Sequence, residues 1–188
     1  MNREDALALV RSKAEKETTV RHLITVEGVM RRLAEHFGED AEKWGLAGLF
    51  HDIDQDQTHH DLSRHAYLGA EWLREVGVDE EIVNAVLAHA HPEYRTDLLS
   101  KAIVNADAIS GFLVACALVR PEKATGMKVS SSKKKLKERS FAPGVARDEI
   151  SSVEEDIGVP LDEFFQIGIE GIQSVAAEVG LVPEETAP

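Results

Sequence analysis

The stretch A-G-L-F-H-D-I-D, residues 47–54, ends an apolar helical run on a histidine followed directly by an aspartate. His51 falls four residues after Ala47 and seven after Trp44, the spacing of one face of a helix. The same pattern recurs outward from this stretch. Upstream, His22 shares a face with Val26, Val29, Leu33 and Phe37. Downstream, His65 aligns with Leu68, Gly69, Trp72 and Val76, His89 with Val86 and Ile82, and Asp107 with Ile103 and Leu99. Each lies on an apolar stripe, and that stripe is the one that faces a core.

A buried ionisable group is costly unless it is paired or holds a metal. A lone inward histidine is ordinarily a satisfied core residue. Four histidines and an aspartate from separate helices, with Asp52 beside them, call for a joint explanation. A divalent cation supplies one: it provides the positive charge that Asp52 and Asp107 need and takes up the lone pair of each neutral imidazole. The competing reading is a buried His/Asp hydrogen-bond network. With nitrogen and oxygen ligands and no thiolate, iron, manganese, cobalt, nickel and zinc are all acceptable, as one or two ions.

Helical periodicity continues through nearly the whole chain, with no alternating strand. Helices are expected over about residues 3–14, 18–37, 40–52, 62–76, 80–90 and 97–119, then about 130–139, 147–156 and 160–180. Gly38 and Gly77 are read as stops and Asp79 as an N-cap. The polar stretch 53–61 reads as a loop, with His59 and His60 solvated; His36 reads as a surface residue, and the tail from Val182 as frayed.

The 188 residues suit one domain, here taken as 1–188. Hydrophobic residues make up 43% and charged ones 29%, and the net charge of −13 argues against general nucleic-acid binding. The single cysteine, Cys116, excludes an internal disulfide and is read as core. The N-terminus does not read as a signal peptide and the longest apolar run is about half a membrane span, so a cytoplasmic protein with no membrane association is expected. The apolar face of the last helix (Leu161, Phe164, Phe165, Ile167, Ile169, Ile172) packs on the bundle or forms a homodimer.

The order His…His-Asp…His…His…Asp resembles the HD superfamily of metal-dependent phosphohydrolases. The matching pieces are HLITVEGVMRRLA, AGLFHDID, HAYLGAEWL, IVNAVLAHAHPE and KAIVNADAISG, over about residues 20–111. The resemblance implies an all-α fold, an HD-domain helical bundle with additional C-terminal helices. It implies that His22, His51, Asp52 and Asp107 hold a first metal, and that in two-metal members Asp52 bridges while His65 and His89 bind the second. Many members have two adjacent histidines where this chain has His89-Ala90-His91, so His91 is read as a ligand or a substrate contact. The HD-x-G-K and GYP motifs of members that cleave cyclic dinucleotides are absent. The second half is similar to a subgroup of small stand-alone HD-domain proteins with a lysine-rich segment and an F-A-x-G-V-x-R phrase.

Residues 120–139 hold eight Lys/Arg and two Glu in an otherwise acidic chain. One reading has Lys133, Lys134, Lys135 or Lys137, with Arg147, binding substrate phosphate; the other is a solvated helix face. The expected activity is hydrolysis of a small phosphate ester, a nucleotide first, by metal-activated water. Asp52 is placed at the reacting centre, and Asp54, Asp56 and His91 are unranked candidates for proton transfer to the leaving group. The alternative is a catalytically silent metal- and nucleotide-binding sensor module.

Overall fold

Two 21-residue helices, α2 (Glu17–Phe37) and α7 (Leu98–Leu118), form the spine of the bundle. The computed structural model describes residues 1–59 and 61–183, and no strand occurs among them. Around the spine lie α1 (Arg3–Lys13), α3 (Ala41–Phe50), α4 (Gln55–Thr58), α5 (Tyr67–Glu75), α6 (Glu80–Ala90), α8 (Val129–Leu136), α9 (Arg147–Ser151), α10 (Val153–Ile157) and α11 (Leu161–Ser174). The chain is all-α, as its periodicity implies.

Helix starts follow local chemistry. Asp40 accepts from the Glu42 and Lys43 amides at the head of α3, and Asp79 accepts from Glu81 at the head of α6. Asp97 and Ser100 exchange hydrogen bonds as a capping box that opens α7. Gly38 ends α2 with φ +73°, a left-handed conformation that costs glycine little.

α2 packs against α3, α7 and α11. These crossings are close. A Cβ on Gly48 would lie 2.8 Å from the Glu27 backbone nitrogen, and one on Gly28 would lie 2.5 Å from the Gly171 carbonyl oxygen. α3 and α11 thus meet α2 backbone to backbone. α11 buries Phe164, Phe165, Ile167, Ile169 and Ile172, so its apolar face is used inside the bundle.

α7 has the length and mean hydropathy of a membrane span, yet 67% of its most apolar 18 residues is buried within the protein, as in a core helix. The apolar stretch is therefore longer than the raw run of residues suggests. Cys116, 2% exposed, belongs to this core.

Several boundaries differ from expectation, three of them as follows. Residues 53–61 are not all loop: α4 forms one turn there, held by Asp56, which accepts from the Glu15 and Lys16 amides and the Thr19 hydroxyl. α5 starts at Tyr67, not 62, because 61–66 is wound into turns by the Asp61 side chain and ends with Ala66 at φ +66°. α11 ends at Ser174, and residues 175–180 are turns closed by Gly180 at φ +74°. His60 and the tail beyond Pro183 lie outside the described residues.

Candidate metal centre

α3 runs its C-terminal end against α2, and this close crossing carries His51 and Asp52 into the bundle. There four imidazoles line up edge to face. Ring centroids are 5.1 Å apart for His22 and His51, 5.2 Å for His51 and His89, and 4.9 Å for His89 and His65. α2, the end of α3, α6 and the turn before α5 each deliver one ring, and α7 adds Asp107.

The donors fall into two triads, His22–His51–Asp107 and Asp52–His65–His89. In the first, Asp107 Oδ1 lies 3.0 Å from His22 Nε2 and 3.6 Å from His51 Nε2. In the second, Asp52 Oδ1 lies 3.2 Å from His65 Nε2 and 3.0 Å from His89 Nε2. The other oxygen of Asp52 faces the first triad, 3.7 Å from His51 Nε2. Asp52 therefore turns one oxygen to each group.

The groups behind the rings set the tautomers. His51 Nδ1–H donates to the Gly48 carbonyl, His89 Nδ1–H to the Val86 carbonyl, and His65 Nδ1–H to Asp54 Oδ1 at 2.9 Å. A carbonyl oxygen only accepts, so His51 and His89 in neutral form keep their free lone pair on Nε2. Buried His51 Nε2 has no hydrogen-bond partner. His65 Nε2 and His89 Nε2 face each other at 3.0 Å across Asp52 Oδ1. Opposed lone pairs at that distance need a proton or a cation between them. Anchored Nδ1 atoms with inward Nε2 atoms are the arrangement of metal-ligating histidines, so the residues fit a divalent ion.

Electrostatics carry the same demand. Burial opposes a charge on His51, but Asp52 and Asp107 outweigh it and lift its pKa from 6.5 to about 9. His65 is likewise raised to about 9 against its burial by Asp52 and Asp54. Burial would raise Asp52 and Asp107; instead the adjacent histidines hold both carboxyls well below the ordinary range. Without another cation the pocket holds protons in its place.

The residues expected to move protons are placed otherwise. Asp54, fully buried, accepts from His65 Nδ1–H and, at 2.8 Å, from the Gly69 amide. It orients a ring rather than meeting a substrate. Asp56 is spent on the α1–α2 junction. His91, just past the end of α6, donates through Nε2 to the His65 carbonyl at 2.9 Å and stacks on Tyr67 with centroids 4.3 Å apart. It braces the segment bearing His65.

The basic segment is also engaged elsewhere. The Arg147 guanidinium donates to the carbonyls of Leu136, Glu138, Phe141 and Ala142, pinning the turn after α8. Lys133 pairs with Asp162 and Lys135 sits 4.3 Å over the Phe141 ring. Lys134 and Lys137 line a surface depression with Lys133, Val129, Ser130 and Asp162, and no residue of the two triads is among its lining. Sequence reasoning missed the orienting role of Asp54, the Gly69 amide, and the Thr58 hydroxyl, which donates to the Asp54 carbonyl. Asp54 lies 11 residues from His65 and 15 from Gly69, so no local spacing links it to either.

Comparison with known proteins agrees with this geometry. Residues 19–111 match the HD domain family. Ribonuclease Y of Geobacter sulfurreducens is 30% identical over 95 residues, 50% of this chain and 18% of its own length. Ribonuclease Y of Lawsonia intracellularis is 33% identical over 96 residues and that of Thermosipho melanesiensis 33% over 94, with the same coverage of 50% and 18%. The chain thus spans less than a fifth of the length of these relatives. No solved structure matches it. The matched stretch begins just before His22 and ends just after Asp107, so it contains both triads, and the chain belongs to the HD superfamily of metal-dependent phosphohydrolases.

Proposed function

We propose that this chain hydrolyses a small phosphate ester, with a nucleotide as the leading candidate, at a two-ion centre. The observation that carries the reading is the division of Asp52 between two triads. His22, His51 and Asp107 would hold one ion, His65 and His89 the other, and Asp52 both. When bound, such ions lower the pKa of water and neutralise charge on a phosphoryl group.

The chain's own residues do the rest. Gly48, Val86 and Asp54 accept from the Nδ1–H of His51, His89 and His65, which fixes the tautomer with its lone pair on Nε2. His51, His65 and His89 are 0%, 5% and 6% exposed at their side chains, whereas His22 and Asp107 are 29% and 39%. Water and substrate approach from the His22 and Asp107 edge. The acidic character of the chain, with Arg147, Lys133 and Lys135 engaged by groups outside the triads, favours a small ester over a polymer, although the relatives are named ribonucleases.

The test is phosphate release after reconstitution with manganese, zinc, iron, cobalt or nickel. The panel holds nucleoside mono-, di- and triphosphates, generic phosphate esters and an RNA oligomer. Turnover of a small ester, lost in Asp52→Ala, is expected. Cleavage of RNA alone, or nucleotide binding without hydrolysis by fully loaded protein, overturns the proposal; the latter outcome defines a sensor module.

A further inference from the structure

A groove of about 240 Å³ opens beside the exposed edge of the centre. One wall is the start of α2, with Thr18, Arg21, His22 and Thr25; the other is the α7 face of Gly111, Val114 and Leu118. Val179 and Leu181, from the turns after α11, close its end. His22 belongs to the groove and to the first triad alike. Gly111 follows Asp107 by one helical turn on the same face of α7. The groove therefore begins where the centre meets solvent and runs away from it along α7.

Gly111 is unusual among the helix glycines. Gly28, Gly48, Gly168 and Gly171 permit close packing, whereas a Cβ on Gly111 meets no atom within 4 Å. Packing does not require glycine there, and glycine weakens a helix interior relative to alanine. The missing side chain leaves space in the groove floor.

We propose that this groove is the subsite for the organic half of the phosphate ester, and that it selects esters of a compact apolar or aromatic group, read by shape. This rests on the reading of the centre as a phosphohydrolase. The wall is mainly aliphatic: Val114, Leu118, Val179 and Leu181. The Thr25 hydroxyl is already donated to the Arg21 carbonyl, so few polar groups are left to read a hydrogen-bonding pattern. Its volume lies below the 300–1,000 Å³ of drug-sized sites, which suits a single ring system such as a nucleobase and not an oligomer. Arg21, half-exposed among the lining residues and paired loosely with Glu17 at 3.8 Å, supplies a cation to the groove.

The test separates binding from catalysis by using non-hydrolysable phosphonates. Calorimetric titration of the manganese-loaded protein with benzylphosphonate and with methylphosphonate gives the contribution of the organic group. Benzylphosphonate is expected to bind at least tenfold more tightly. Gly111→Leu, which fills the floor, is expected to remove that ratio while leaving the methylphosphonate Kd and the metal content unchanged; Gly111→Ala is expected to leave most of it. Val114→Phe, one turn further out, provides a second blockade should Gly111→Leu fail to fold. A ratio near one in the wild type, binding of neither phosphonate, or an unchanged ratio in both blocked variants overturns the subsite. Tight, groove-dependent binding without hydrolysis of any ester keeps the subsite and defeats the catalytic reading. Hydrolysis with no dependence on the organic group does the reverse.

Discussion

Replacing Asp54 with asparagine tests how the centre is held. Asp54 is fully buried and both of its partners are donors, His65 Nδ1–H at 2.9 Å and the Gly69 amide at 2.8 Å. A carboxylate satisfies two donors with two oxygens. An amide has one acceptor, so its NH2 is turned toward an N–H or toward His65 Nδ1. It pairs with Nδ1 only if the ring changes tautomer. The proton then sits on Nε2, the atom that faces Asp52 and would face the ion. Either outcome costs the protein: about 1–3 kcal/mol of stability for a buried donor left unpaired, or a weakened ligand. Loss of such an outer partner weakens metal binding about 10–100-fold, or about 1.4–2.7 kcal/mol. The hydrogen bonds of the Asp54 carboxylate go to His65 and Gly69, outside the first triad, which is expected to keep its affinity. Manganese titration of wild type and Asp54→Asn, followed by calorimetry, reads both sites. Two unchanged affinities, or equal weakening of both, refute the reasoning.

Other outcomes follow from the same geometry. Loading at pH 7 is expected to release about two protons, because His51 and His65 are raised to about 9 in the metal-free protein and must become neutral to bind; calorimetry in buffers of different ionisation enthalpy counts them, and no release contradicts the linkage. In the metal-free protein those raised values stabilise the fold fully below about pH 6.5 and the benefit is lost as pH rises through about 9, whereas the lowered Asp52 contributes above its ordinary 3.8 and is lost on acidification. Thermal melts of metal-free protein are therefore expected to peak between these limits, and loaded protein to gain relative stability at alkaline pH. Arg147→Ala is expected to lower stability by about 1–3 kcal/mol through four lost carbonyl contacts, with KM for a phosphate ester unchanged; a raised KM at unchanged stability restores the phosphate-binding reading.

What the sequence conveyed and what it hid divide by range. His22, His51, His65, His89 and Asp107 were legible because each sits on a helical stripe where a polar group needs a reason. Asp52 was legible from its place beside His51. The bundle itself followed from periodicity and from caps such as Asp79 and Gly38. Asp54, Asp56 and His91 were visible as chemistry but not as geometry. Their partners are 11 to 41 residues away and lie on other elements, so nothing local told a proton donor from a brace. Charge left two readings open for a related reason. Arg147 is held by carbonyls within 11 residues, a use of guanidinium donors that composition does not record. The groove beside His22 was hidden because Thr18, Gly111 and Leu181 come from three parts of the chain.

Metal stoichiometry by elemental analysis, on reconstituted wild type, Asp52→Ala and Asp107→Ala with folding checked by circular dichroism, addresses the central claim. Two equivalents per chain are expected in the wild type. Asp107→Ala, which touches only the first triad, is expected to retain about one, and Asp52→Ala, which turns an oxygen to each, to lose both. Full metal content in folded Asp52→Ala, or none in the reconstituted wild type, would contradict the account.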